Sequence, residues 1–391
     1  MRILLAFSGG LDTSYLLATM AEVGHEVVAC TVDCGGLDSA GRARLHAHGL
    51  ALGASEVRCI DARDRLYQEV LRWLIAGNVR RGGIYPLSVG AERGLQAAVL
   101  AQIALTENFD ALAHGCTAAG NDQIRFEAAL SVLAPNLQVL APIRELSIAR
   151  SEQVEYLIQR GLPVPQSGGA YSVNAGLWGL TIGGGPMLSS VGGLPDDAWQ
   201  WTRDGAHTTS LCIGFEQGQP QSCDGITMTP VDLIEHLNKL GGACGVGRGY
   251  HLGDTILGIK GRIAFEAPAA EILLSAHREL EKLVLTEDQR FWKDHLGEVY
   301  GRHIHQGLSM APLLRDFEAL FQSTQQRVSG EVYLHLAPGN LQVTGSQSAF
   351  SLMSASDAVY GEMPASNAEL NAPLAFARVL ATPSKLYSSL S

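Results

Sequence analysis

The first 24 residues constrain this chain more than any other part, because an apolar run leads into a turn rich in glycine and hydroxyl groups. Residues 3–7, Ile-Leu-Leu-Ala-Phe, are typical of a buried parallel strand, and apolar positions from Leu16 to Val23 recur at helical spacing. Between them stands Ser8-Gly9-Gly10-Leu11-Asp12-Thr13-Ser14. Such a turn directs backbone N–H groups and the positive end of a helix dipole at one point. The pattern predicts a phosphate-binding loop; a turn without a ligand is the alternative.

Asp12 is a carboxylate inside this predicted anion site. Its position favours a bound magnesium ion or a polarised substrate group as its partner. The turn is not a Walker loop, because no Gly-Lys-Ser/Thr follows it.

Overall charge excludes several classes of partner. The 391 residues include 28 Lys and Arg against 39 Asp and Glu, a net charge of −11 with no basic run. We therefore expect neither nucleic acid nor an anionic membrane as a partner. Short apolar stretches and the absence of a charged leader predict no membrane span and no signal peptide. Seven cysteines without a CxxC pair predict reduced thiols and a cytoplasmic protein.

Strand and helix patterns alternate through the first part of the chain. Strands are predicted at 25–32, 56–60 and 109–114, and helices at 42–52, 92–106 and 151–160. This alternation predicts an α/β fold, with a Rossmann-like parallel sheet in an N-terminal nucleotide-binding domain, residues 1–165. Residues 166–365 predict an α+β second domain that binds substrate and contains a hairpin turning at Pro338-Gly339-Asn340. Residues 366–391 predict an apolar tail that docks on a partner subunit.

A second small-residue turn follows the predicted strand at 109–114. It begins His114-Gly115-Cys116-Thr117, and it continues through Asn121-Asp122 to Arg125. A hydroxyl, an amide, a carboxylate and a guanidinium group thus occur within nine residues. These groups suit a substrate that carries both a carboxylate and an ammonium group, so the turn predicts an amino-acid site.

Taken together, the two turns resemble the argininosuccinate synthase family, whose first loop is of the ATP pyrophosphatase type. Further segments match in the same order along nearly the whole chain: Ala141-Pro142-x-Arg144, Pro163-Val164-Pro165, Tyr171-Ser172, Gly245-Val246-Gly247-Arg248, and Gly258-x-Lys260 before Glu266-x-Pro268.

The resemblance implies ligands and residues for the site. ATP would be held by Ala6, Phe7, Ser8, Gly9, Gly10, Leu11, Asp12, Thr13, Ser14, Val32, His114 and Gly115. L-Aspartate would be held by Thr117, Asn121 and Asp122. The acceptor, citrulline in the family, would be held by Tyr85, Gly90, Asn121, Arg125, Ser172, Thr181, Gly253 and Phe265. The family also implies ATP and Mg²⁺ as cofactors and a homotetramer.

The implied reaction has two halves. The ureido oxygen of the acceptor attacks the α-phosphorus of ATP and releases pyrophosphate, and the aspartate amine then displaces AMP. The family's Gly-Lys pair is here Ala118-Ala119, so a cation is missing. Arg93, Arg125 and Arg144 are candidates to replace its charge, and Asp12 and Arg93 are predicted as the catalytic residues.

Departures from the family are concentrated at the acceptor positions. Gly253 replaces an acidic residue, Phe265 a tyrosine, Thr181 a serine, and Gly90 a serine or alanine; neighbouring Asp254 could substitute for the lost acid. Because unpaired polar groups weaken binding, these changes predict a ureido or amide acceptor other than plain citrulline, in a specialised pathway. The alternatives are an ordinary argininosuccinate synthase of arginine biosynthesis and a non-catalytic nucleotide-binding homologue.

Two further features do not indicate a metal site or a nucleophile. His303 and His305, with His295 upstream, lack the spacing of a metal site and are typical of surface or core histidines, so no protein-held metal is predicted. Cys116 is expected to be a packing residue and not a nucleophile.

Overall fold

The structure, a computed structural model, describes residues 1–118, 120–165, 171–356, 359–362 and 367–390. It divides into two compact units, Met1–Ala349 and Phe350–Ser391. Ala119 and the predicted domain boundaries at 165/166 and 365/366 involve residues outside the described ranges. The three-domain division stays a prediction.

The first part of the chain forms a parallel sheet with helices in its connections. In chain order its elements are β1 (Arg2–Ala6), α1 (Leu11–Glu22), β2 (Glu26–Asp33), α2 (Ser39–Ala51), β3 (Glu56–Asp61), α3 (Arg63–Leu66), α4 (Arg72–Ala76), α5 (Glu92–Thr106), β4 (Ala111–His114), α6 (Asp122–Leu133), β5 (Gln138–Leu140), α7 (Pro142–Leu146) and α8 (Arg150–Gln159). A π-helical turn, Tyr67–Leu71, joins α3 to α4. All four strand pairs are parallel, which confirms the predicted α/β fold with its Rossmann-like sheet.

Strand order locates the ligand-binding edge of this sheet. The order is β3-β2-β1-β4-β5, so the direction of the chain across the sheet reverses between β1 and β4. In an open parallel sheet such a reversal leaves a crevice at the carboxyl ends of the two strands. The two predicted ligand loops follow β1 and β4, and the fold therefore places both at this crevice.

Strand β1 is buried on both faces. Ile3 and Leu5 pack in one cluster with Leu16 of α1, whereas Leu4 packs in another with Leu100 of α5. Complete burial of each such side chain contributes roughly 1.5–3 kcal/mol. Side chains of the apolar run that predicted this strand therefore alternate between the two faces of the sheet, and both faces are buried, as expected for a central parallel strand.

Two elements begin at residues other than the predicted ones, because of a helix cap in one case and a backbone turn in the other. The helix predicted to start at residue 42 begins at Ser39, because the Asp38 carboxylate accepts a hydrogen bond from the Gly41 N–H at 2.6 Å. The strand predicted from residue 109 begins at Ala111, after Asn108 turns with a φ of 54°.

The rest of the first unit combines two antiparallel sheets with helices. Its elements are β6 (Ser172–Gly176), β7 (Gly179–Gly183), β8 (Thr209–Glu216), β9 (Gln219–Cys223), β10 (Ile226–Thr227), α9 (Pro230–Ala243), β11 (Arg248–Asp254), β12 (Lys260–Glu266), α10 (Pro268–Val284), α11 (Glu287–His305), α12 (Pro312–Gln325), β13 (Gly330–Ala337) and β14 (Asn340–Gln347). Short 3-10 helices occur at Gly185–Leu188 and Asp196–Ala198. The sheet orders are β10-β9-β8-β13-β14 and β11-β12-β7-β6, and the predicted hairpin is the β13–β14 pair.

The described residues of the second unit form two helices, α13 (Asn367–Leu380) and α14 (Thr382–Ser388). Apolar side chains on them, including Phe376 and Val379, are 66% and 70% exposed. Across the described residues, no helix is both long and apolar enough to cross a membrane.

Candidate active site

The loop after β1 is organised by its own hydroxyl groups. Gly9 has a φ of 72°, a conformation that favours glycine. The Gly10 N–H donates to Ser8 Oγ at 3.3 Å, and Ser8 Oγ lies 3.2 Å from Thr13 Oγ1. Gly10 is the N-cap of α1 and makes no side-chain capping bond, which leaves N–H groups of the first turn to bind an anion.

His48 supports this loop, and the sequence pattern gave no sign of it. Its Nε2 lies 2.8 Å from the hydroxyl of buried Ser14, and its ring stacks on Phe7. Burial lowers the pKa of His48, which favours the neutral ring. The contact holds the Ser14 hydroxyl in one orientation.

The loop after β4 lies against the start of α1. A Cβ on Gly115 would be 3.0 Å from Thr13 Cγ2 and 3.2 Å from Asp12 Cβ. His114 is buried, and its Nδ1 accepts a hydrogen bond from the Cys116 N–H at 3.3 Å, which orders this loop. Val32 is buried near the end of β2, the strand beside β1. The residues predicted to bind ATP therefore gather at the carboxyl edge of the sheet.

Asn121 and Asp122 connect this edge to a polar cleft of about 210 Å³. Asn121 follows the β4 loop, and Asp122 begins α6. Asn121 Oδ1 accepts a hydrogen bond from the Ile256 N–H at 2.9 Å, so its amide N–H₂ remains to bind a ligand. The predicted site residues that line the cleft are Tyr85, Gly90, Arg93, Asn121, Asp122, Arg125, Thr181 and Gly253.

Asp122 holds two arginines at the floor of the cleft. Arg93 Nε donates to its Oδ2 at 3.0 Å, and Arg125 Nη1 donates to its Oδ1 at 2.8 Å. Although burial raises the pKa of Asp122, the two guanidinium groups outweigh that effect and hold it below its ordinary value. Asp122 is therefore ionised at neutral pH and orients both arginines.

Sequence comparison identifies the family of this site. Residues 2–163 match the family described as the arginosuccinate synthase N-terminal HUP domain, and residues 171–386 match the arginosuccinate synthase C-terminal domain. An argininosuccinate synthase from Staphylococcus saprophyticus is 36% identical over the whole of this chain and 97% of its own length. One from Methanocaldococcus jannaschii is 36% identical over 90% of this chain and 89% of its own. This chain belongs to the argininosuccinate synthase family.

Membership in the argininosuccinate synthase family identifies the kind of chemistry. The protein is an ATP-dependent ligase that forms carbon–nitrogen bonds and produces AMP. The ligase prediction made from the two turns is thereby confirmed, and ATP is the nucleotide of this family.

Some residues that were predicted to bind ligands do not line the cleft. Ser172 is exposed at the start of β6, and Thr117 is exposed on the β4 loop; neither is part of the cleft lining. Phe265 is buried beneath the cleft, with its ring 5.2 Å from that of Tyr85. Burial raises the pKa of Tyr85 to about 12, so its hydroxyl stays protonated.

Three lining residues that the sequence analysis did not single out for binding lie at the far end of the cleft. They are Arg81, before α5; His251, on β11; and His305, the last residue of α11. His305 belongs to the pair interpreted as surface or core histidines. The described residues contain no group of three or more His, Cys, Asp or Glu that could hold a metal ion.

Proposed function

We propose that this protein joins the amine of L-aspartate to the ureido carbon of citrulline and converts ATP to AMP and pyrophosphate. Full-length similarity to relatives named argininosuccinate synthase supports citrulline as the acceptor. That similarity favours the ordinary reaction over the specialised acceptor predicted from the sequence. The observation that carries the proposal is the position of Asn121 and Asp122, which link the loop beside Asp12 to the polar cleft.

Two bond exchanges make up the proposed reaction. The ureido oxygen bonds to the α-phosphorus of ATP while the bond from that phosphorus to pyrophosphate breaks. The aspartate amine then bonds to the ureido carbon and loses a proton, while the bond from that carbon to the AMP oxygen breaks. No side chain forms a covalent bond with a substrate, so the protein acts by positioning and electrostatic stabilisation.

Each loop has a role in this scheme. The first turn of α1, with the hydroxyls of Ser8, Thr13 and Ser14, binds the ATP phosphates. Arg93, which Asp122 holds in place, supplies the positive charge that is missing because the second loop has Ala118-Ala119 in place of the family's Gly-Lys pair. Asn121 and Asp122 bind L-aspartate beside the acceptor.

Asp12 fits a magnesium ion that arrives with ATP. Mg²⁺ is usually bound by one or two carboxylates together with substrate phosphates and water, and not by a cage of protein ligands. Asp12 is a single carboxylate in the first turn of α1, next to the predicted phosphate site. When bound there, the ion would neutralise phosphate charge, and Asp12 with the Thr13 hydroxyl would hold it.

One observation favours a second candidate function, in which the same chemistry uses a different ureido acid. Gly253 offers no carboxylate to an α-ammonium group, and neighbouring Asp254 already binds Lys260 Nζ at 2.6 Å. An acceptor without the ammonium group of citrulline would need neither residue.

Product formation tests the proposal and separates the two candidates. The full chain is incubated with MgATP, L-aspartate and citrulline, AMP is measured, and the product is identified by its mass. We expect AMP release that requires both amino acids, with argininosuccinate as product. Release with another ureido acid but not with citrulline would favour the second candidate. No AMP release with any ureido acid would show that both are wrong.

The exposed apolar helices α13 and α14 bear on the assembly of the protein. We propose a homotetramer in which α13 and α14 dock on another subunit, supported by the exposed apolar side chains of Phe376 and Val379. Light scattering on the full chain measures the mass of the assembly, and a monomer at micromolar concentration would contradict the proposal.

All seven cysteines are free thiols, which supports a cytoplasmic location.

A further inference from the structure

His305 lies between two guanidinium groups at the far end of the cleft. Arg81 Nη1 is 2.7 Å from its Nε2, and Arg125 Nη2 is 3.0 Å from its Nδ1. Burial, with Arg125 and Arg81 close by, lowers the pKa of His305 to about 3, so the ring is neutral at physiological pH. A neutral imidazole has one acceptor nitrogen. Only one of the two arginines can therefore donate a hydrogen bond to the His305 ring. The N–H group of the other arginine faces the protonated ring nitrogen and makes no hydrogen bond there.

The cleft supplies these arginines with few negative charges. Its described lining contains two carboxylates, Asp122 and Asp254. Asp122 is shared between Arg93 and Arg125, and Asp254 binds Lys260. Among the described residues no carboxylate forms an ion pair with Arg81, whose second contact is the carbonyl oxygen of Asp254. This end of the cleft is therefore electropositive.

His251 adds a polar atom without a partner. His251 is buried, with 7% of its surface exposed. Its Nε2 makes no hydrogen bond within the described structure. The ring stacks on Tyr85, and a Cβ at Gly253 would lie 2.6 Å from Nε2. The unpartnered nitrogen thus lies in the space that a side chain at residue 253 would fill. In the tautomer protonated at Nε2, it donates toward a ligand in the cleft.

We infer that Arg81 and His251 form an anion subsite that binds the carboxylate of the acceptor, with His305 positioning the Arg81 guanidinium, and that the cleft does not recognise an α-ammonium group. This inference rests on the proposed function and specifies its acceptor as an ω-ureido acid. A carboxylate provides the acceptor atoms that the competing arginines and His251 lack. An ammonium group would meet guanidinium groups and no free carboxylate in the described lining.

Three acceptors with the same ureido group and carbon chain test the inference. Citrulline carries both charges, 5-ureidopentanoate lacks the ammonium group, and 4-ureidobutylamine lacks the carboxylate. With saturating MgATP and L-aspartate, we expect kcat/KM for 5-ureidopentanoate to equal or exceed that for citrulline. The value for 4-ureidobutylamine should fall roughly a hundredfold or more. A higher kcat/KM for citrulline than for 5-ureidopentanoate would overturn the inference.

A substitution at Arg81 tests the residues themselves. Arg81→Gln should lower kcat/KM for 5-ureidopentanoate roughly 10- to 100-fold, chiefly through KM, and leave the KM values for ATP and L-aspartate unchanged. Arg278→Gln is the matched control, because Arg278 is 57% exposed on α10 and is not part of the cleft lining. Equal KM values for 5-ureidopentanoate in Arg81→Gln and the parent protein would contradict the subsite.

The subsite and the proposed function are contradicted by different results. If citrulline supports AMP release and its ammonium group improves kcat/KM, the subsite inference is wrong and the proposed function stands. If none of the three acceptors supports aspartate-dependent AMP release by folded protein, the proposed function is wrong and the inference with it.

Discussion

His251 occupies the space that a side chain at residue 253 would need. A Cβ added to Gly253 would lie 2.6 Å from His251 Nε2, closer than non-bonded atoms approach. The two residues are two apart on β11, so their side-chain positions share one face of the strand. The histidine and the glycine therefore form one arrangement, and substitutions at the two positions should not act independently.

This arrangement predicts that an acid at 253 works only with a smaller residue at 251. Gly253→Glu alone should not improve the use of citrulline, because the new side chain meets the His251 ring. The double variant His251→Ala/Gly253→Glu should raise the ratio of kcat/KM for citrulline to that for 5-ureidopentanoate at least about tenfold, since a carboxylate then faces the ammonium group. His251→Ala is the control. An equal gain in the Gly253→Glu single variant would contradict the steric argument.

Asp12 should be essential for the first half-reaction. Asp12→Ala removes the carboxylate predicted to hold Mg²⁺ beside the first turn of α1, and pyrophosphate release should fall about a thousandfold or more. Thermal unfolding should be little changed, because Asp12 makes no ion pair in the described structure. Asp316→Ala, at an exposed position on α12, serves as the control. Pyrophosphate release at the parent rate would refute the role assigned to the loop.

L-Aspartate should supply the nitrogen of the new bond. Asn121 and Asp122 present amide and carboxylate groups beside the acceptor cleft, as an amino-acid donor requires. With ¹⁵N-labelled L-aspartate, the product should carry one heavy nitrogen by mass spectrometry. Labelled ammonia or glutamine, added with unlabelled aspartate, should contribute none. Incorporation of nitrogen from either of those sources would disprove the assignment.

His305 should make stability depend on pH. Burial, then Arg125, Arg81 and His251, lower its pKa to about 3 in the folded protein, against about 6.5 in the unfolded chain. Between those values the unfolded chain binds more protons, so the contribution is present above about pH 6.5 and is lost as the pH falls toward 3. At pH 5 the loss is about 2 kcal/mol.

The His305→Gln variant isolates this contribution, because glutamine does not titrate. Urea unfolding at pH 7 and pH 5 should show a smaller fall in unfolding free energy for the variant than for the parent. Parallel pH dependences in the two proteins would exclude His305 as the source.

Glu266 should be important for stability. Its buried carboxylate, at the end of β12, accepts hydrogen bonds from the N–H groups of Gln200, Trp201 and Thr202 and from the Thr202 hydroxyl. Glu266→Gln places an amide N–H₂ among these donors and should lower the unfolding free energy by about 2–3 kcal/mol. Glu298→Gln, at an exposed position on α11, should change it by less than about 0.5 kcal/mol. Equal midpoints of thermal unfolding for both variants would contradict the prediction.

Local sequence determined the first strand, the loop and the helix of the nucleotide site. An apolar run, a glycine turn and a 3.6-residue period act between neighbours in the chain, and the structure has β1, Gly9 with positive φ and α1 in these places. The second turn was predictable for the same reason. Resemblance to a family extended the prediction to residues such as Tyr85 and Thr181, which line the cleft.

Tertiary structure alone decided what surrounds the acceptor. Arg81 and His305 are 224 residues apart in sequence, and no periodicity connects a loop before α5 to the end of α11. Their contact depends on the packing of several helices and strands, as does the stacking of His251 on Tyr85. Packing also left Ser172 on the surface and buried Phe265 beneath the cleft. Sequence specified the reactive loops because their chemistry is local, whereas the charge of the cleft arises from residues that only the folded chain brings together.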